Sequence, residues 1–348
     1  MQGEIISVEP FGSGHINGTY RVFTNSEDDY ILQKINQYVF KDVTGLTQNL
    51  EYVLGHLNKK LLAVPNSNPK RELLTLIKSK HDEFFVIDEA GSFWRMFIFL
   101  KDTKSYDLVT TEKQAMEGGK AFGKFQKLLS DLDPNLLVET IPNFHHIGYR
   151  LSNFDVAIKK DPLGRANTVL NEIQFIESRR EQMSQIIKLG EAGKLPLRVI
   201  HNDTKFNNVL LDENDNAQCV IDLDTVMPGY VAYDFGDAIR TIINSAPEDE
   251  PDLSKIKLNI QLFEAYTKGY MEYATSFLLE TEIKSLIDGV LLLPYMQAVR
   301  FLTDYIDGDK YFKTHFEGHN LQRAKAQLQL VKLLEENKNT LGDIILRS

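Results

Sequence analysis

The stretch that decides the fold runs from residue 201 to residue 224. It reads His201-Asn202-Asp203-Thr204-Lys205-Phe206-Asn207-Asn208, then the apolar run Val209-Leu210-Leu211, the polar cluster Asp212-Glu213-Asn214-Asp215-Asn216, a second apolar run Cys219-Val220-Ile221, and finally Asp222-Leu223-Asp224. Two short apolar runs around a cluster of turn formers predict strand, turn, strand. The leading loop has the spacing H-x-D-x-x-x-x-N. A carboxylate at its third place can orient and accept the proton of an attacking hydroxyl, and an amide oxygen at its eighth can reach a metal on phosphate oxygens. Asp203 is therefore the expected catalytic base and Asn208 an expected metal ligand. Asp222, at the end of the second strand, supplies the carboxylate that Mg²⁺ needs beside substrate phosphates. His, Asp and Asn are also ordinary turn residues, so the loop takes its meaning from the strand pair and the acidic residue that follow it.

A second triplet, Asp234-Phe235-Gly236, spells the D-F-G of protein kinases. No strand-turn-strand leads into it, and it opens an apolar helical run through Ala238 and Ile242. Asp234 is expected to cap that helix or tie down the loop rather than hold metal.

Towards the N-terminus, Gly12, Gly14 and Gly18 punctuate a turn between predicted strands Ile5 to Phe11 and Thr19 to Phe23. Glycines there let backbone amides approach phosphate oxygens, so Gly12, Gly14 and Asn17 are expected against a nucleotide. No G-K-[ST] follows, which excludes a Walker loop. A third strand, Tyr30 to Ile35, carries Lys34, expected to reach the α- and β-phosphates. Glu51, on a predicted helix from Asp42 to Leu57, is its expected ion-pair partner. Further strands are read at Phe84 to Ile87 and Phe93 to Leu100, and the backbone at Ile98 and Leu100 is where an adenine would hydrogen-bond.

Beyond Leu100 the pattern turns helical, with helices read at Thr111 to Leu129, Val169 to Ala192, Ile256 to Leu278, Glu282 to Thr303 and Leu321 to Glu336. The reading is an α+β, protein-kinase-like bilobal fold. A small β-rich nucleotide-binding lobe spans 1–102, and a larger, mostly helical lobe with the catalytic loop and substrate site spans 103–348. A formal net charge of −10 argues against a nucleic-acid partner, and the chain has no Lys/Arg-rich run for an anionic membrane. The single cysteine, Cys219, fits a reducing compartment. The first ten residues hold no signal peptide or lipidation motif, and we read no spanning segment, so the expected location is cytoplasmic.

Over nearly its whole length the chain resembles the aminoglycoside-phosphotransferase and choline-kinase group. The strings from His201 to Leu210, from Val220 to Gly229 and from Tyr233 to Arg240 are similar to those of N-acetylhexosamine 1-kinases. That resemblance implies ATP and Mg²⁺ as cofactors and the anomeric hydroxyl of N-acetylglucosamine or N-acetylgalactosamine as acceptor. It also implies sugar contacts from Asp203, Asp224, Thr225, Arg300 and Tyr311, with His15 a further candidate. Asn202 stands where many antibiotic kinases carry Gly, and Thr204-Lys205 replaces their usual pair, which argues against an antibiotic acceptor. Choline, homoserine, methylthioribose or another small alcohol is the alternative acceptor. A non-catalytic kinase-fold module would have lost one of Asp203, Asn208, Asp222 or Lys34, and all four are present.

Overall fold

A computed structural model describes residues 1–12, 14 and 16–348 of the chain. Strands β1 (Ile5–Pro10), β2 (Gly18–Thr24) and β3 (Tyr30–Lys34) are followed by helices α1 (Val43–Leu62) and α2 (Pro69–Glu72), then by β4 (Val86–Ile87) and β5 (Phe93–Ile98). The strands form one antiparallel sheet in the order β1-β2-β3-β5-β4. The Asp42 side chain caps α1 by accepting the Gly45 N–H at 2.8 Å. Leu46, Leu50, Val53, Leu57 and Leu61, spaced three and four apart, bury one stripe of the helix. In the β3–β5 register Gln33 lies opposite Arg95 and Lys34 opposite Trp94. Successive side chains on a strand take opposite faces, so this register decides which cation sees the cleft.

The second lobe contains α3 (Glu112–Leu129), α4 (Ile147–Lys160), α5 (Leu170–Glu177), α6 (Arg180–Met183), α7 (Gln185–Glu191), β6 (Arg198–Ile200), β7 (Val209–Leu211), β8 (Ala217–Val220) and β9 (Met227–Gly229). It continues with α8 (Val231–Ile242), α9 (Ile260–Ala274), α10 (Glu280–Asp307), α11 (His319–Glu336) and α12 (Lys338–Arg347). The expected strand pair is β7–β8, and an unforeseen pair, β6–β9, brackets it. The connector between the lobes is pinned to this region. Lys104 and Leu211 exchange both backbone hydrogen bonds, at 2.9 and 2.8 Å.

Two corrections concern helices. The single helix expected from Val169 to Ala192 is three short ones. Ser178 and Ser184 turn their hydroxyls onto the Phe175 and Arg180 carbonyls at 3.0 and 2.7 Å, offering the backbone partners outside the helical ladder. The other concerns α10, which is long and apolar enough to cross a membrane by length and composition, where the sequence reading found no such segment. Its apolar window is 72% buried inside the protein, so it serves as the core helix against α4, α8 and α11.

Close backbone contact fixes α3 against α9. A Cβ on Gly119 would lie 2.1 Å from the Tyr266 carbonyl oxygen, and one on Gly269 the same distance from that of Met116. No other residue fits at such an approach. The helix pair forms the floor on which the catalytic loop rests.

Candidate active site

The catalytic loop is held from below by a buried carboxylate. Asp234, in the first turns of α8, accepts the backbone N–H of His201 at 2.8 Å and that of Asn202 at 2.7 Å. Gln126 of α3 donates to the same carboxylate at 2.8 Å, and its own amide oxygen accepts the Tyr270 hydroxyl. The Thr204 hydroxyl donates to the Asp234 backbone oxygen. Burial alone pushes the Asp234 carboxyl up, against the pull of His201 and of these donors. The D-F-G triplet is thus a clamp on the catalytic loop.

The loop is drawn taut around Asn202, a non-glycine residue with φ +65°. Its side-chain amide donates to the Thr225 backbone oxygen at 3.0 Å. The next residue, Asp203, turns its side chain into a charged cluster. Lys205 Nζ lies 2.9 Å from Asp203 Oδ1. Asn208 Nδ2 donates to the Asp203 backbone oxygen at 2.8 Å and approaches Oδ2 at 3.3 Å. Burial would raise the Asp203 carboxyl, but the charge and hydrogen bond of Lys205, with His201 and Arg240 behind it, hold it below the usual range. The side chain is therefore an ionised acceptor at neutral pH. Asp237 and Arg240 extend the cluster, with Arg240 Nη2 donating to Asp237 at 2.9 Å.

Asp222 follows directly on the β7–β8 pair, where Ile221 N–H donates to the Asn208 oxygen at 2.9 Å. It adopts a left-handed backbone, φ +58°, and is exposed. Crowding by protein, then by Asp224 and Asp203, pushes its carboxyl up to about 6. Asp222 is thus raised by two neighbouring carboxylates, and a cation beside it would relieve that repulsion. The Asn208 amide nitrogen is turned to Asp203, which leaves its oxygen available. Asn208 and Asp222 thus fit a hard divalent ion in the chemistry of their donor atoms.

Several expected residues sit elsewhere. Lys34 is exposed on the far face of the sheet, its ammonium 5.7 Å from the Trp94 ring centroid, because the register pairs it with Trp94 and not with Arg95. Glu51 is on the exposed side of α1, and its charge adds to the field that raises the Lys78 ammonium. Asp224 is buried and already engaged. It forms a two-pronged ion pair with Arg95, Nη1 to Oδ1 at 2.5 Å and Nη2 to Oδ2 at 2.8 Å, and it accepts Asn17 Nδ2 at 2.7 Å. Thr225 is buried with its hydroxyl donated to the His201 carbonyl at 2.8 Å. Both are joints of the site rather than open acceptor contacts, because a polar group this deep must be hydrogen-bonded by the protein itself. Asn17 likewise spends its amide on Asp224 and on the Asn36 N–H.

Gly12, at φ +82°, and Gly14 have open space where a Cβ would stand, so the loop backbone is free to be approached. His15 lies outside the described residues. Ile98 N–H is committed to the Thr75 carbonyl at 3.0 Å, and the Leu100 carbonyl accepts the Thr103 hydroxyl at 2.7 Å.

Arg300 and Tyr311 do come together. With Arg150, Asn153 and Phe312 they line a cavity of about 350 Å³. Arg300 lies between the rings of Phe144 and Phe312, 5.9 and 5.3 Å from their centroids. Burial and the repulsion of Arg300 bring the Arg150 guanidinium down to about 10, and burial lowers Arg300 as well. The wall connects to the catalytic loop through neighbouring residues. Arg150 Nη2 donates to the Phe144 carbonyl at 2.7 Å, and the His145 ring meets the Asn202 carbonyl at 2.9 Å.

Sequence reading missed Arg95, Arg150, Lys205, Asp237 and His145. Arg95 had a usable signal, a lone charge within the apolar strand Phe93-Trp94-Arg95-Met96-Phe97. Arg150 and His145 had none, since they reach the site only through the packing of α4.

A β-rich lobe over a helical one, with a clamped Asp203, Asn208 and Asp222 at their junction, defines a phosphoryl-transfer architecture of the protein-kinase type. Residues 7–271 match the family model described as "Phosphotransferase enzyme family", known as APH, and the chain belongs to that family. Its fold is shared with a microcompartment-associated aminopropanol kinase, at 18% identity and a TM-score of 0.64, covering 97% of this chain and 93% of that one. It is shared too with an ethanolamine kinase of Plasmodium vivax, at 14% identity and a TM-score of 0.56, covering 92% and 82% of the two chains. A third is an amicoumacin kinase in complex with AMP-PNP and Ca²⁺, at 11% identity and a TM-score of 0.58, covering 93% and 88%.

Proposed function

We propose that this protein is an ATP- and Mg²⁺-dependent kinase that phosphorylates the anomeric hydroxyl of an N-acetylhexosamine, N-acetylglucosamine or N-acetylgalactosamine, to give the sugar 1-phosphate. The observation that carries the choice of acceptor is the wall of the 350 Å³ cavity. Arg150 and Arg300 both line it, and the charge of Arg300 helps lower the buried Arg150 guanidinium. The cavity's carboxylates are spoken for. Asp304 accepts the backbone N–H groups of Lys310, Tyr311 and Phe312, and Asp307 lies 3.1 Å from the Lys310 ammonium. A cationic amino alcohol would be repelled by such a wall and would find no free acid or aromatic cage. Guanidinium donors beside Tyr311 and Phe312 suit hydroxyl and carbonyl oxygens on a ring with an apolar face.

In this reading ATP lies between the lobes under the Gly12 to Gly18 loop. Asn208 and Asp222 would hold Mg²⁺, which when bound would neutralise phosphate charge. Asp203 orients the acceptor hydroxyl and takes its proton. Its lowered pKa makes it a modest base, which suffices because an anomeric hydroxyl is more acidic than an ordinary alcohol and transfer through a loose transition state asks mainly for positioning. Lys205 keeps Asp203 ionised and in place, and Asp234 keeps the loop beneath it in register.

The test is a panel of N-acetylhexosamines, other hexoses, choline, ethanolamine and 1-amino-2-propanol with ATP and Mg²⁺, with phosphate located by ³¹P NMR. Phosphate on carbon one of an N-acetylhexosamine supports the reading. Turnover confined to the amino alcohols overturns the acceptor assignment, the outcome towards which the names of the aminopropanol and ethanolamine kinases point.

A further inference from the structure

A kinase cleft needs a fixed cation on the N-lobe side of the phosphates, and Lys34, on the outer face, does not provide it. On the cleft face of the same sheet stands Arg95, 5% exposed. Its Nε and Nη2 both donate to Gln33 Oε1, at 3.0 and 2.8 Å, on the strand beside it. Its fork then crosses to the other lobe and grips Asp224, two residues beyond the metal-site Asp222. Asn17, from the glycine-rich turn, meets the same Asp224 oxygen. Nucleotide turn, sheet and metal loop therefore converge on one Arg95–Asp224 pair. Nη1 carries two hydrogens and meets a single oxygen, so at least one buried N–H lacks an acceptor among the described residues, a costly state that a ligand oxygen would relieve.

Resting on the kinase reading above, we infer that Arg95 is the phosphate-binding cation of the N-lobe, held in position by Gln33 and Asp224. In protein kinases a strand lysine is steadied by a helix glutamate. Here both partners have moved, the cation to β5 and the carboxylate to the loop after Asp222. The planar fork matters, because a guanidinium can keep one edge on Asp224 and the other on Gln33 and still offer its remaining Nη1 N–H to a phosphate oxygen, which an ammonium cannot do in a fixed plane. The arrangement also ties closure of the lobes to the nucleotide site, since the Arg95–Asp224 contact spans both.

The experiment is calorimetric titration of the whole chain with ATP in Mg²⁺, and separately with adenosine, without acceptor. The wild type binds both. Arg95→Gln loses at least tenfold in ATP affinity and stays within twofold for adenosine, while Lys34→Gln stays within twofold for ATP. ATP affinity unchanged in Arg95→Gln, equal losses for ATP and adenosine, or the loss appearing in Lys34→Gln instead would each overturn the assignment. If Arg95→Gln does not fold, Arg95→Lys carries the comparison. It keeps the charge without the fork and loses severalfold for ATP alone, and wild-type affinity overturns the assignment. Absence of ATP binding by the wild type brings down the kinase reading and this assignment together, whereas the variant outcomes bear on Arg95 alone.

Discussion

Replacing Asp234 by Asn tests whether the D-F-G carboxylate is a clamp. One oxygen of Asp234 receives the Asn202 N–H and the other receives both the His201 N–H and the Gln126 Nε2 amide donation from α3. An asparagine has one acceptor oxygen, so at least one of these donors is orphaned. Gln126 cannot rotate to help, because its oxygen already accepts from Tyr270. A buried orphaned donor costs about 1–3 kcal/mol. With an unfolding entropy near 2.1 cal/mol/K per residue, 348 residues give about 0.7 kcal/mol/K, so the melting temperature should fall by roughly 1–4 °C. Catalysis should suffer more, since displacing Asp203 by an ångström costs on the order of a hundredfold. The measurements are a thermal melt and the initial rate with the best acceptor of the panel. A variant that melts with the wild type and turns over at its rate refutes the clamp.

Asp203→Asn should lower turnover by about a hundredfold or more with little change in melting temperature, as expected for loss of a general base; near-normal turnover removes Asp203 from the mechanism. His145 has its pKa brought down from 6.5 to about 4, chiefly by burial, which opposes the pull of Asp237. The unfolded chain therefore binds this proton more tightly, and stability falls as the pH drops from about 6.5 towards 4, by on the order of 1–3 kcal/mol. Melts at pH 7 and pH 5 should show that loss shrinking in His145→Gln, and an identical pH dependence in the two proteins would count against it. Gly119→Ala should destabilise by about 1–3 kcal/mol, even though alanine favours helices by about 1 kcal/mol. Its Cβ meets a backbone oxygen that cannot move aside, and a variant at least as stable as wild type would show that the helices have room. Asp304→Asn should raise the acceptor KM by about tenfold and leave the KM for ATP alone. It removes acceptors for the N–H groups that shape the Tyr311 loop, and an equal rise in both constants would argue for general unfolding.

The sequence by itself determined what is local. Spacing alone placed Asp203, Asn208 and Asp222 around a strand pair, because loop length and strand period act within some twenty residues. The same local logic set the D-F-G triplet apart from the loop at Asp222, since a helical apolar run follows Asp234. In the structure that helix starts earlier, at Val231, and Asp234 ties down the catalytic loop instead of capping it. The bilobal division followed from the switch of apolar period near residue 100.

Tertiary structure decided what depends on register and on approach between distant segments. Lys34 and Gln33 differ by one position, and the pairing of β3 with β5 alone settles which of them faces the cleft. Arg95 and Asp224 are 129 residues apart, and no period or motif links them. Asp224 and Thr225 have the residue types of acceptor contacts, yet their burial against Arg95 and His201 makes them joints of the scaffold. The basic wall of Arg150 and Arg300 exists only because α4 and α10 pack side by side. A strand fixes where its residues fall along the chain; only the neighbours it pairs with fix which charge meets which.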